Sequence, residues 1–222
     1  MNAQKPVIAI DGPAGAGKST IAKLVAGKLG YIYIDTGAMY RSVAWKFLQT
    51  GKPFSPELVE KLAQEMVITF KPEANANRVF VDGTEVTEAI RSPEVTAVVS
   101  KVSAVGGVRA EMVNQQRRMG EAGGVVMDGR DIGTVVFPHA QVKIFLTASV
   151  KERAMRRYKE MLAKGEKVDL EELEKQIAFR DKQDSEREIA PLKQADDAEF
   201  LDTSEMTIDE VAEHILKAVR EK

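Results

Sequence analysis

The chain begins with a short apolar run, Val7-Ile8-Ala9-Ile10, that has no polar alternation, the pattern of a strand buried on both faces. Ile21, Leu24, Val25 and Leu29 then recur at helical spacing, with Gly30 as a natural stop, and Tyr31-Ile32-Tyr33-Ile34 reads as the next strand. Strand, helix, strand is the unit of a parallel α/β sheet. The same rhythm returns in the last third and predicts five core strands at 7–10, 31–34, 125–127, 142–146 and 198–201. Ser149 with Glu152 forms a capping box for a helix that stops near Gly165, and Asp169 with Glu172 repeats the spacing. Thr207 with Glu210 opens a final helix whose apolar stripe is Ile208, Val211, Ala212, Ile215, Leu216 and Val219.

The middle breaks this rhythm. Ser55-Pro56 opens a helix, and Val67-Ile68-Thr69-Phe70 and Arg78-Val79-Phe80-Val81 follow as strands. Asp82-Gly83 marks a tight hairpin turn into Glu85-Val86. Period-2 hairpins inside an α/β chain predict an inserted antiparallel subdomain at 42–105. Residues 1–41 and 106–222 would then form the core of one domain.

Chemistry enters directly after the first strand. Gly12, Pro13, Ala14, Gly15, Ala16, Gly17, Lys18 and Ser19 match G-x-x-x-x-G-K-[ST], with Thr20 following. Glycines let backbone N–H groups curl around a phosphate, and the helix start adds positive dipole. Lys18 can reach the terminal phosphates of a nucleoside triphosphate, and Ser19 can ligate Mg²⁺. No Asn-Lys-x-Asp is present, which weighs against a guanine-selective GTPase. A small P-loop domain with an insertion after its second strand suggests a kinase for a small acceptor.

Further clusters suit a second anion. Asp35 to Arg41 follows the second strand, where Thr36 and the next N–H groups could hold an anion and Arg41 could pair with it. Asp128-Gly129-Arg130-Asp131 ends a buried strand at the edge where open α/β sheets bind ligands, and Asp128 could hold Mg²⁺ through water. Arg153 and Arg157 share a helix face by their i, i+4 spacing, and Arg180, Asp184 and Arg187 stand on successive turns. Arg109 lies on a helix with a thin apolar stripe, where a solvated face is the default reading.

Taken together, the P-loop, Asp35–Arg41, Ser100 ahead of Val108-Arg109, Asp128–Thr134 and Arg180–Leu192 resemble the bacterial cytidylate kinases, from about residue 6 to the C-terminus. Thr36 stands where that family often has Ser, and the hydroxyl is kept. The resemblance implies a three-layer α/β/α P-loop fold with a five-stranded parallel sheet in the order 2-3-1-4-5. The insertion becomes a nucleoside-monophosphate-binding subdomain and 158–168 a short lid. It implies that Ser100, Arg109 and Asp131 read cytosine, while Arg41, Arg130 and Arg187 hold the acceptor phosphate. Arg180 and Asp184 would contact the ribose, with Tyr40 close by, and Thr36 would belong to the same CMP-binding set. Arg153 and Arg157 would serve the ATP side, and Lys18, Arg130, Arg157 and Arg187 would carry catalysis with Mg²⁺. ATP/ADP and CMP/dCMP are the implied ligands, and a monomer is expected. A kinase for UMP or for a metabolite alcohol is the alternative within enzymes. An ATP-gated RNA-binding module is the alternative outside them.

Composition narrows this further. Thirty-two Lys+Arg against 34 Asp+Glu leave a net charge of −2, too little for a sequence-wide grip on nucleic acid. Nine of the thirteen Arg nevertheless fall between Arg109 and Arg187, so neutrality conceals a local concentration of arginine. There is no Cys, which excludes disulfides and thiol chemistry and fits a cytoplasmic setting. The longest stretch free of charged side chains, Ile132–Val142, is eleven residues, too short for a membrane span of about 18–20.

Overall fold

The structure is a computed structural model that describes residues 5–72 and 77–222. Five parallel strands form the main sheet: β1 (Val7–Asp11), β2 (Ile32–Asp35), β6 (Val125–Gly129), β7 (Val142–Thr147) and β8 (Glu199–Asp202). Their spatial order is β2-β6-β1-β7-β8, which is 2-3-1-4-5 when only these five are numbered. Each begins within a residue of its expected position and most run one or two residues further, because ladder pairing outlasts the apolar run: Ile10 pairs with Asp128 and Asp35 with Asp128. All five residues of β1 are buried, as a central strand without alternation requires.

Helices cover both faces. On one, α1 (Lys18–Leu29) and α8 (Ile208–Arg220) close a core of Ile8, Ile10, Ile21, Val25, Ile144, Leu146, Val211 and Ile215. Thr207 caps α8 with both bonds of the capping box in place. On the other face lie α2 (Thr36–Gln49) and α5 (Gly106–Gly120). Between them the chain builds α3 (Pro56–Glu65), capped by Ser55, then the antiparallel sheet β3 (Ile68–Pro72), β4 (Asn77–Val81) and β5 (Thr84–Glu85). The turn Asp82-Gly83 has both φ angles positive, at 51° and 81°, the requirement of a two-residue hairpin. A 3₁₀ turn (Ala89–Arg91) and α4 (Pro93–Ser103) complete this region. Its apolar residues, among them Val59, Val81, Ile90 and Val99, share one continuous core with Ala9, Met39 and Met127 of the main layers.

Beyond β7, α6 (Val150–Ala163) and α7 (Leu170–Glu186) form a helical hairpin. The hairpin is held by a small separate cluster, Ala154, Leu173 and Ile177. Gly165, with φ of 77°, ends the first helix where the sequence places its stop. No helix among the described residues is long and apolar enough to cross a membrane.

Candidate active site

Every loop at the carboxyl edge of the main sheet carries part of the site, as open α/β sheets require. The P-loop leaves β1 so close to β7 that a Cβ on Gly12 would lie 1.9 Å from the carbonyl oxygen of Leu146. Only glycine passes there. Lys18 is 6% exposed and its Nζ donates to the carbonyl of Pro13 within the same loop at 2.7 Å. Burial and the nearby Arg130 depress the Lys18 pKa, against the pull of Asp128 and Asp11.

Gly15 to Thr20 line a cleft whose walls also include Asp128, Arg91, Arg156, Arg157, Thr203 and Ile208. Ser19 and Thr20 are exposed on its rim. Arg157 is exposed there too and makes no ion pair among the described residues. Arg153 differs from its sequence reading. It is 4% exposed and lies under the loop, where it donates to Ala14 O at 2.9 Å and Ala148 O at 2.8 Å and pairs with Asp181 at 2.6 Å. Helical spacing puts Arg153 and Arg157 on one side, but the hairpin partner α7 covers the first and leaves the second free. Arg156, passed over from sequence, faces the cleft and is held by the carbonyl of Thr203 at 2.8 Å.

A second cleft, of about 90 Å³, adjoins the first. Thr36, Tyr40, Arg41, Ser100, Arg109, Arg130, Asp131, Arg180, Asp184 and Arg187 all line it, although 151 positions separate the first from the last. Arg109 is not on a solvated face. It is 2% exposed, ion-paired with Asp131, donates to Ser103 O at 3.2 Å, and its guanidinium lies 5.2 Å from the ring of Tyr40. Arg187 approaches Asp131 at 3.7 Å and donates to the carbonyl of Ala190 at 2.6 Å. Arg130 pairs with Asp184 at 2.8 Å. Arg41 reaches Thr96 and the carbonyl of Ile90.

The second cleft therefore holds five arginines and three aspartates. Burial, then the nearby Arg130, lowers the Arg180 pKa to about 10. Burial would raise Asp184, but Arg130, Arg180 and Arg187 together pull it below the usual carboxylate range. Arg109 Nε, Arg180 Nε and Arg187 Nη2 are buried donors with no hydrogen-bond partner among the described residues. Such unspent donors and clustered cations suit an anionic, hydrogen-bonding ligand.

The start of α2 departs from the expected anion nest. Asp35 itself caps the helix, accepting from Ala38 N at 2.9 Å, and the Thr36 hydroxyl donates to Asp128 O at 2.6 Å. The protein's own carboxylate occupies the helix end, and Thr36 fixes the wall of the cleft.

Asp11 and Tyr33 were also missed from sequence. Asp11, 6% exposed, accepts the backbone N–H groups of Ile132 at 2.8 Å and Gly133 at 2.7 Å. It joins the start of the P-loop to the turn after Arg130-Asp131. Burial raises its pKa to about 6, against the lowering by those two bonds. Tyr33 donates its hydroxyl to Asp128 Oδ1 at 2.8 Å. Asp11 adjoins the motif in sequence, yet nothing local marks its partner 121 positions away.

Asp128 lines both clefts. Two anion sites with a common wall suit the transfer of a phosphoryl group between two bound phosphates, which sets the molecule among the P-loop kinases. Comparison with known proteins narrows the class. The family described as "Cytidylate kinase" matches residues 8–221. A protein named cytidylate kinase from Ligilactobacillus salivarius (strain UCC118) is 53% identical over 220 residues, covering 99% of this chain and 98% of that one. One of the same name from Bacillus subtilis (strain 168) is 54% identical over 225 residues, at the same coverages. The chain belongs to the cytidylate kinase family. Among solved structures, an uncharacterized protein from Eubacterium ventriosum ATCC 27560 has a TM-score of 0.55 at 13% identity, covering 98% of this chain and 100% of that one, a likeness of fold alone.

Proposed function

We infer that the protein is an ATP-dependent cytidylate kinase, which moves the γ-phosphoryl group of ATP to CMP and yields CDP and ADP. Family membership supports the activity. The observation that carries the acceptor reading is the gathering of ten residues, distant in sequence, on one arginine-rich cleft beside the P-loop.

In this reading Gly12 to Thr20 cradle the triphosphate, and Lys18 exchanges Pro13 for phosphate oxygens. Arg157 lies free on the same wall to add positive charge. Arg41, Arg130 and Arg187 hold the acceptor phosphate, with bidentate forks where lysine would offer only a point charge. Asp131 accepts from the exocyclic amino group of cytosine while Arg109 and Ser100 meet its acceptor edge. Uracil turns an acceptor toward Asp131, which leaves two acceptors facing each other and disfavours UMP. Asp184 and Arg180 face the ribose, near Tyr40, and dCMP is a second acceptor. No general base is needed, because a phosphate monoester with a second pKa of about 6 is already an anionic nucleophile at neutral pH. The residues instead gather two polyanions and exclude water. The 42–105 insertion and a lid at 158–168 would close over them.

Mg²⁺ fits this chain. Burial and the neighbouring Asp35 push the pKa of Asp128 upward, so this carboxylate gains from a nearby cation. No cluster of three or more His, Cys, Asp or Glu forms a resident metal site among the described residues. A hard cation would thus come with the donor phosphates, held by the Ser19 hydroxyl and, through water, by Asp128. When bound it neutralises charge between the phosphates. A monomer acting in the cytoplasm on free nucleotides, with neither nucleic acid nor membrane as partner, completes the reading.

An acceptor panel of CMP, dCMP, UMP, AMP and shikimate, followed by ADP release, tests it. Turnover should be confined largely to the two cytidine nucleotides, and preference for any other acceptor refutes it.

A further inference from the structure

Arg91 is the one arginine of the insertion that lines the donor cleft. It ends the 3₁₀ turn Ala89–Arg91, directly before Ser92, the cap of α4, which carries Ser100 of the acceptor cleft. The turn packs against α2 and α4. Its side chain is 53% exposed, and its one ion pair among the described residues is a loose contact with Asp35 at 3.7 Å. Asp35 sits beside Asp128 in the β2–β6 register, and Asp128 is the wall common to both clefts. Arg91 therefore stands over the junction that a transferred phosphoryl group must cross.

The charges around that junction are unbalanced. Arg157 lines the same cleft, and Arg41 and Arg130 line the adjoining one. After burial itself, Arg91 is the largest influence lowering the pKa of Arg41. Four guanidinium groups gather there, while among the nearby acids Asp184 is already paired with Arg130 and Asp35 is engaged as the cap of α2. Cations collected this way repel one another until an anion enters.

We propose that Arg91 is a catalytic residue supplied by the insertion, whose guanidinium leaves Asp35 for the transferring γ-phosphoryl group and so couples closure of the insertion to the reaction. This rests on the cytidylate kinase reading. During transfer an oxygen of the acceptor phosphate forms a bond to the γ-phosphorus. The bond from that phosphorus to the bridging oxygen breaks, and its electron pair leaves with ADP. Arg91 donates hydrogen bonds to the oxygens of the passing group and exchanges no proton. A contact that strengthens only in the transition state affects kcat more than KM.

The test compares wild type, R91A, R91Q and R91K with ATP, Mg²⁺ and CMP, with and without added methylguanidinium. R91A and R91Q should lose about 100-fold in kcat and change the KM for CMP by no more than about threefold. R91K should fall between them and wild type, and methylguanidinium should restore part of the R91A turnover while leaving wild type unchanged. The proposal is overturned by R91A or R91Q turnover within about threefold of wild type, by a loss confined to KM, or by a loss that neither lysine nor methylguanidinium relieves. The thermal midpoint of each variant separates unfolding from chemistry, and R91Q decides the matter if R91A fails to fold. A wild-type enzyme inactive on CMP would refute the underlying activity and not the role of Arg91.

Discussion

Arg153 of α6 and Asp181 of α7 form an ion pair, 2.6 Å long, beneath the P-loop. The same guanidinium holds Ala14 O, so one side chain joins the donor loop to the helix that bears Arg180 and Asp184. Removing one partner leaves the other charge buried, which should cost about 3–5 kcal/mol. Arg153→Ala should therefore lower the urea midpoint sharply and raise the KM for ATP. The double variant Arg153→Met with Asp181→Leu should recover much of the stability but not the KM. Equal recovery of both would show that the pair has no part in shaping the loop.

Asp11 makes stability depend on pH. Its pKa is about 6 in the folded chain against an ordinary 3.8, so the folded state holds its proton over that interval and the unfolded state does not. Its contribution is fully present below about pH 3.8 and is lost as pH rises through about 6. Urea unfolding of wild type and Asp11→Asn at several pH values isolates this effect. From pH 4 to pH 8 the difference should shift in favour of the variant by up to about 3 kcal/mol. A difference that does not vary with pH would contradict the raised pKa.

Lys18→Ala should fold as well as wild type, because the replaced cation is buried and its charge is disfavoured there. Turnover should fall by at least about 100-fold, through loss of charge stabilisation at the terminal phosphates. Circular dichroism and kcat measured on the same preparation check both parts. An unchanged kcat would remove Lys18 from the mechanism.

Asp184→Asn should reduce kcat/KM for CMP and dCMP unequally, since the two acceptors differ only in the ribose 2′-hydroxyl. The pair with Arg130 adds a loss common to both. Equal losses would reduce Asp184 to a partner of Arg130.

Most of the donor side was legible in sequence, because phosphate binding by a strand–loop–helix is a local device. Gly12 to Ser19 carry their geometry in consecutive residues, and the caps Ser55, Ser149 and Thr207 act within three positions of themselves. Several of the ten residues lining the second cleft stand out in sequence as clusters suited to an anion, but only resemblance to a family joined them into one site, since their separate segments declare no common destination. Asp11, Tyr33 and Arg91 escaped. Each is an ordinary strand or turn residue until a partner arrives from Ile132, Asp128 or Asp35.

Periodicity, glycine placement and capping residues determined the parallel α/β layers, the P-loop and the antiparallel excursion, because each depends on neighbours within a few positions. Tertiary structure alone decided which of the clustered arginines are free. Arg153 and Arg157 stand one helical turn apart, yet packing of α7 commits the first to Asp181 and leaves the second in the cleft. Arg109, on a helix with only a thin apolar stripe, becomes one of the most deeply buried charges, because Asp131 reaches it from another loop. A guanidinium looks the same in any sequence. Its role depends on which carboxylates and carbonyls the fold brings within about 3 Å, and on how much water it leaves there.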